Sequence, residues 1–395
     1  MKILMINSVC GIRSTGRICT NLAVELEKKG HEVKIAYGRG NVPKEYEKYA
    51  IKFCDDFDVK KDALKSRIFD NAGFNSKNST NKLIKWIEQY DPDIIHLHNI
   101  HGYYINIELL FRYLKCCGKK IIWTLHDCWS FTGHCAYFEY VNCMKWKDCC
   151  ERCPLKKEYP KSVLIDNSKR NFLKKKELFT DVPNLTIVTP SLWLKKLIKM
   201  SFLKDYPAVV INNGIDLSIF KPTNSALREK YDLEDKKVIL GVAAVWDKRK
   251  GLEEFIRLNE ILPNDYVIVL IGLNEEQAKI IPSGIIGISR TNSSKELAEW
   301  YTLADVFVNP TLEDNYPTTN LESIACGTPV ITYDTGGSSE SASLFGKVVS
   351  KGNYRQIMKD ILKCNFNKTN YNIEMIGSDF SARKYISLYK GDTIE

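Results

Sequence analysis

The chain has 395 residues, 44% of them hydrophobic and 27% charged, with a formal net charge of +9. That length exceeds one compact core and predicts about two domains; the composition excludes wholesale disorder, and no apolar run approaches the roughly 20 residues a membrane-spanning helix needs. The surplus of Lys and Arg favours anionic partners without choosing among them, and thirteen cysteines need an explanation of their own.

The opening "MKILMINSVCG" carries one Lys and a short apolar run with no small-residue cleavage site after it. It reads as a first buried strand rather than a signal peptide and places the protein in the cytoplasm. The next segment, "GRICTNLAVELEKKG", has Ile18, Leu22 and Leu26 at helical spacing and stops on Lys28-Lys29-Gly30, a C-terminal signal. "HEVKIAYG", "PDIIHLHN" with helical "INIELLFRYLKCC", "KKIIWTLHD", and "NLTIVTPS" with "LWLKKLIKM" continue the alternation. Strands this uniformly apolar, separated by helices, predict a parallel sheet covered on both faces. The pattern restarts after the stretch from Pro207 to Pro222 with "KKVILGVAAV", "YVIVLIGL", "GIIGISR", "DVFVNP" and "PVITYD". The predicted fold is α/β: two Rossmann-like, doubly wound parallel-sheet domains, residues 1–207 and 208–375, facing a central cleft. "YRQIMKDILKC" is the last helix of the second domain, and the helical tail 376–395 is expected to pack back on the first.

Ligands of doubly wound folds sit beyond the carboxyl ends of the strands, so the loops there carry the candidates. In "NSVCGIRSTGR", Gly11 and Gly16 flank a strand-to-helix turn where backbone N–H groups could approach an anion; a plain turn explains it as well, and the spacing is not a dinucleotide fingerprint. Five of six histidines fall between His96 and His134. His96 and His98 share one strand face, His101 follows in the loop, and His126 and Asp127 sit where a strand runs out; sugar recognition, a metal site and structural hydrogen bonding all remain open. An insertion near residues 128–160 holds Cys135, Cys143, Cys150 and Cys153. Four thiolates would make a closed, structural zinc site; disulfides, less expected in the cytoplasm, and free thiols are the alternatives, with Cys149 and His134 as spare ligands. "LWLKKLIKM" sets apolar residues beside Lys195, Lys196 and Lys199, either an ordinary surface helix or a peripheral contact with an anionic membrane. In "VAAVWDKRKGLEEF", Lys248, Arg249 and Lys250 precede Gly251 and a helix, which makes a diphosphate clamp or a solvated basic loop. "TLEDNYPTTNLESIACGTPVITYD" then places an acidic lip, Glu313-Asp314-Asn315, before a short helix carrying Glu322.

Taken together, "STGR", "TLHD", "NNGIDLSIFKP", "DKRKGL" and "ESIACGTPVI" resemble the GT-B glycosyltransferases of family 4 over essentially the whole chain. Asp314, seven residues and Glu322 match that family's donor-site motif. "EDNYP" and "WSFTGHC" with its cysteines resemble the branch assigned to capsular, colanic-acid-like and other surface polysaccharides. The resemblance implies that Gly16 lets its loop approach the donor diphosphate, Lys250 neutralises the pyrophosphate, Glu322 accepts the ribose hydroxyls, Asp314 holds a hydroxyl of the transferred sugar, and His126 lies near the reacting sugar. Arg249, Asn315, Tyr316, Thr318 and Thr319 complete the expected donor site, with His98, His101 and Asp127 on the acceptor side. Two departures stand out: Ala244 occupies the place of a family arginine, which Arg249 or Lys248 would replace, and Asp314 is shorter than the usual glutamate.

The implied activity is transfer of a sugar from a UDP- or GDP-sugar to a glycan or lipid-diphosphate-linked glycan, with retention and no catalytic cofactor. Cations and helix N-termini would stabilise the departing diphosphate without a divalent metal; "DPD" at Asp91–Asp93 precedes a strand and reads as a turn. Peripheral association with the inner face of the plasma membrane would accompany a lipid-linked acceptor. A GT-B nucleotide-sugar epimerase and an inactive sugar-nucleotide-binding scaffold are the rival readings. No regular basic or aromatic recognition surface points to nucleic acid.

Overall fold

The computed structural model describes residues 1–363 and 372–392. They divide into two compact units, Met1–Asn212 with the stretch from Ser381 onward, and Asn213–Phe380. The first contains β1 (Lys2–Asn7), β2 (Glu32–Tyr37), β3 (Ala50–Lys52), β4 (Ile94–Leu97), β5 (Lys120–Thr124), β6 (Leu185–Thr189) and β7 (Ala208–Val210). Every neighbouring pair is parallel, and the order is β3-β2-β1-β4-β5-β6-β7. Alternation along β1 shows why its sequence is apolar throughout: Leu4 and Ile6 enter one core, Ile3 and Met5 the other. A strand whose two faces are both covered has no polar face to keep.

The second unit contains β8 (Lys237–Val242), β9 (Tyr266–Ile271), β10 (Ile285–Ile288), β11 (Val306–Asn309), β12 (Val330–Tyr333) and β13 (Gly346–Val349), all parallel, in the order β10-β9-β8-β11-β12-β13. In each unit the strand order reverses once, between β1 and β4 and between β8 and β11. Crevices open at such reversals because consecutive crossovers leave in opposite directions.

Three strands that periodicity did not reveal, β3, β7 and β13, lie at sheet edges, where short and partly exposed strands carry little apolar signal. The expected division after residue 207 falls before β7, which pairs with β6 and so belongs to the first unit; the units part at Asn212 and Asn213. The helix expected to close the second domain runs Tyr354–Lys363, and Cys364 lies outside the described residues, as does the rest of 364–371. The helix Leu192–Met200 turns Leu194 and Ile198 into the first core, so its apolar face is occupied by packing.

The C-terminal helix, Ser378–Lys390, packs Ala382, Tyr385, Leu388 and Tyr389 into the core of the first unit. Its tyrosines carry polar tips to buried partners: Tyr389 Oη lies 2.7 Å from His96 Nδ1, and Tyr385 Oη 2.9 Å from Thr124 Oγ1, which lies 2.8 Å from His96 Nε2. Lys120 Nζ donates to the carbonyl oxygens of Leu388 and Tyr389, satisfying the end of the helix. Removal of one partner from a buried hydrogen bond costs the desolvation of the other. Tyr389→Phe should therefore destabilise the protein by about 1–3 kcal/mol, measured by urea unfolding, while Tyr389→Ala, which also opens a cavity, should cost more.

Candidate functional site

In the second unit the site is built from the loops after β8 and β11, the strands that flank the reversal. β8 stops at Val242, earlier than the apolar run to Val245 implies, and Ala244 and Val245 are exposed. A single 3-10 turn, Lys248–Lys250, then leads to Gly251 at φ 74°. A Cβ at Gly251 would stand 2.3 Å from the Pro310 carbonyl oxygen, so only glycine lets the two loops meet there. Leu312 N–H donates to the Arg249 carbonyl at 2.7 Å, which sews them together.

That contact brings three charged side chains into one place. Lys250 Nζ lies 2.5 Å from Asp314 Oδ2, and Arg249 Nη1 lies 3.7 Å from the same oxygen while donating to the Glu313 carbonyl at 2.6 Å. Asn315 N–H donates to Asp314 Oδ1. Burial opposes ionisation of Asp314, but Lys250 and Arg249 outweigh it and hold the carboxyl below the usual carboxylate range. Gly336 closes the far side: a Cβ there would lie 2.0 Å from the Asp314 carbonyl oxygen.

The helix Thr318–Ala325 begins just beyond. Pro317 at its cap offers no side-chain acceptor, and Thr318 and Thr319 are half-buried in its first turn, leaving N–H groups and a partial positive charge at that end. Glu322, one turn further along, is 7% exposed and accepts from Tyr301 Oη at 3.1 Å. Asn320 anchors the helix through a buried network: its Oδ1 accepts from Asn309, and its amide reaches Ser338 and Ser341. Tyr316, between the Asp314-Asn315 lip and this helix, packs its ring against the core of the unit.

In the first unit, Asn7 at the end of β1 accepts from Asn99 N–H and donates to the Val9 carbonyl, tying the loops after β1 and β4 together. Gly16, expected in the first loop, lies inside the helix Arg13–Lys28. There its carbonyl accepts Gly11 N–H, and a Cβ would press on Val9 at 3.0 Å, so it serves close packing. The loop position that needs glycine is Gly11, at φ 71°.

Four of the histidines, His96, His98, His101 and His126, form one cluster. His98 Nδ1 lies 3.0 Å from His126 Nε2, their rings stacked at 13°, and the His96 ring is 4.0 Å from that of His98. His101 Nε2 lies 2.8 Å from Asp127 Oδ2 and its Nδ1 3.1 Å from Tyr159 Oη. His98, His101, His126, Asp127 and Trp129 line one cavity. Burial lowers His96 to about 3 and His126 to about 4, and pushes His98 well down, so three imidazoles are neutral near pH 7. Burial raises the Asp127 carboxyl, but His101 and Trp129 N–H outweigh it and keep it low. Neutral imidazoles and a fixed carboxylate suit hydroxyl recognition and proton exchange. Tyr159 and the two C-terminal tyrosines escape a reading of the sequence because each is distant in the chain from the histidine it meets, and Asn7 because it is distant from Asn99.

Cys135, Cys143, Cys150 and Cys153 line a single cavity with His134. The twelve described cysteines are free thiols, and among the described residues no three histidine, cysteine or carboxylate side chains are gathered tightly enough to hold a metal ion as they stand.

The family model described as Glycosyltransferase Family 4 matches residues 15–219, and that described as Glycosyl transferases group 1 matches 223–365. A colanic acid biosynthesis glycosyl transferase of Escherichia coli, WcaC, is 25% identical over 305 residues, covering 74% of this chain and 72% of that protein. Among solved structures, sucrose-phosphate synthase of Thermosynechococcus elongatus aligns with a TM-score of 0.72 at 14% identity, over 99% of this chain and 98% of that one. Anabaena HepE in complex with UDP-glucose aligns with a TM-score of 0.61 at 13% identity, over 99% and 96%. At these identities the structural likeness is one of fold: two α/β units of the GT-B kind.

Two outcomes follow from the geometry. Gly251→Ala should destabilise the protein by about 1–3 kcal/mol, the range for a strained left-handed backbone, with thermal unfolding as the measurement; Gly352→Ala, also at positive φ but with no atom within 4 Å of its Cβ, should cost less. His96, His98 and His126 set a pH dependence. Their folded pKa values lie below the ordinary 6.5, so between about 6.5 and 4 the unfolded chain binds more protons. Stability should be fully present above pH 6.5 and fall as the pH drops toward 4; a His98→Gln variant should show a shallower fall in the same thermal series.

Proposed function

Because this chain belongs to glycosyltransferase family 4, we propose that it transfers a sugar with retention, without a metal cofactor, from a UDP- or GDP-sugar to a glycan or lipid-diphosphate-linked glycan in surface polysaccharide assembly. The observation that carries this reading is the buried Asp314 carboxylate clamped by Lys250 and Arg249 beside the open end of a helix. Breaking a glycosyl–phosphate bond leaves negative charge on the nucleoside diphosphate. Lys250, Arg249 and the N–H groups of Thr318 and Thr319 are positive groups already fixed in place, and preorganised charge is what lowers such a barrier.

A diphosphate competes with Asp314 for the Lys250 ammonium. As it takes that ammonium, an oxygen of Asp314 becomes available to a hydroxyl of the transferred sugar. Glu322 accepts the ribose hydroxyls, and a departing phosphate oxygen takes the acceptor proton as the acceptor oxygen bonds to the anomeric carbon. Arg249, anchored on the Glu313 carbonyl, stands in for the arginine replaced by Ala244. In the first unit, neutral His126 and His98 meet sugar hydroxyls, and Asp127 with His101 serves the acceptor. The UDP-glucose in the HepE complex supports a UDP-sugar, and the colanic acid role of the Escherichia coli relative supports a surface polysaccharide. Contact with an anionic membrane would be electrostatic, through exposed Lys196 and Lys199, since the apolar face of their helix is packed inward.

Thermal shifts with UDP, GDP, ADP and NAD test the donor. One nucleoside diphosphate at about 100 times its Kd should stabilise the fold by about 2.7 kcal/mol; a response to NAD alone would contradict the reading. With the sugar donor so identified, Lys250→Ala should lower turnover about 10²–10³-fold in a folded protein, and unchanged turnover would remove the clamp from the mechanism.

A further inference from the structure

We propose that Cys135, Cys143, Cys150 and Cys153 bind one structural Zn²⁺ that fastens the irregular segment between β5 and β6 to the first unit. From Leu125 to Asn167 this segment has only three short 3-10 turns, Trp129–Phe131, Glu139–Val141 and Lys145–Lys147. Connections longer than about 12–15 residues without regular structure are uncommon in compact domains. This one nonetheless buries Trp129, Phe131, Phe138 and Trp146 in the core, so something beyond backbone pairing must hold its path.

The thiols are already neighbours. Cys135 and Cys153 are in hydrogen-bond contact through their sulfurs, and Cys150 lies close to both Cys153 and Cys143. Backbone N–H groups of Gly133 and Leu155 donate to the sulfurs of Cys150 and Cys153. A second observation points to a charged occupant. His134, with its side chain fully buried, lies 2.5 Å from Asp70 through Nδ1, while its Nε2, in the cavity wall, has no partner. Lys175, 1% exposed, places its Nζ over the Trp129 ring at 3.3 Å and donates to the carbonyls of Trp129 and Thr132, with Cys150, Cys135, Asp70 and Asp127 among the ionisable groups around it.

Four thiols bind Zn²⁺ by releasing four protons to solvent, and the resulting tetrathiolate carries a net charge of minus two. The Lys175 amino group and the buried His134 Nε2 are the polar groups that stand nearest to that charge in the segment's own walls. The sulfurs stand wider than bonding distance, so loading draws them to about 2.3 Å from a common centre. Tetrahedral thiolate sets of this kind select zinc among the common divalent ions.

The test is elemental analysis of the full chain purified from zinc-supplemented culture without chelator, together with thiol labelling under denaturing conditions. One zinc per chain is expected, released by a mercurial that titrates the thiolates, absent from Cys150→Ser and Cys153→Ser, and retained by His134→Gln. Should the cysteine variants fail to fold, Co²⁺ exchanged into the wild-type protein should give the intense ligand-field bands of a tetrahedral thiolate site. Substoichiometric zinc with four freely labelled thiols would overturn the proposal, as would a Cys135–Cys153 disulfide by mass. Zinc lost from His134→Gln but kept by Cys143→Ser would overturn the tetrathiolate ligand set.

Discussion

Parallel pairing constrains everything else in this protein. A parallel strand cannot be followed by a tight hairpin to its neighbour; the chain must cross back over the sheet before the next strand begins. All thirteen strands obey this rule, so within each unit every strand ends at the same edge and every functional loop leaves from it. The reversal of strand order then separates two neighbouring loops and opens a crevice. Lys250 and Asp314 come from the two strands at the reversal in one unit, Asn7 and His98 from the two strands at the reversal in the other. The sites are consequences of topology, and the side chains supply only their charge.

The two sites use opposite electrostatics. In the second unit a carboxylate is buried and kept ionised by two cations at its side, which makes a place where charge can be exchanged for charge. In the first unit burial dominates without a compensating anion for His96 and His98, so these rings stay neutral. A neutral imidazole has one donor and one acceptor, and His98 and His126 share one such bond, so the tautomer of one dictates that of the other. Charge exchange of the first kind suits an anion, and neutral imidazoles of the second kind suit a hydroxyl.

What the sequence made legible was local. Apolar strands, the basic loop ending at Gly251, and the Asp314-to-Glu322 spacing are written within a few residues of one another, and they identified both the fold and the family. The errors were equally physical. Glycine spacing alone could not tell that the first helix starts at Arg13, which moved Gly16 out of the loop and into helix packing. Edge strands β3, β7 and β13 are too short to show a period. The Tyr389–His96 bond joins residues 293 apart in the chain, and no window of sequence contains it.

The irregular segment after β5 ties these themes together. Asp127, which holds His101, accepts Trp129 N–H on its other oxygen. The Trp129 carbonyl is in turn held by Lys175, whose ammonium also binds the Thr132 carbonyl, and Thr132 donates to the Cys135 carbonyl. A continuous chain of hydrogen bonds therefore runs from the cysteine-lined cavity to the carboxylate beside the histidine cluster. Local order in one part of such a chain limits the freedom of the next, because each buried donor has few alternative acceptors. The precision of Asp127 and His101 thus depends on whatever fixes residues 132–153, a segment that has almost no backbone ladder of its own to do so.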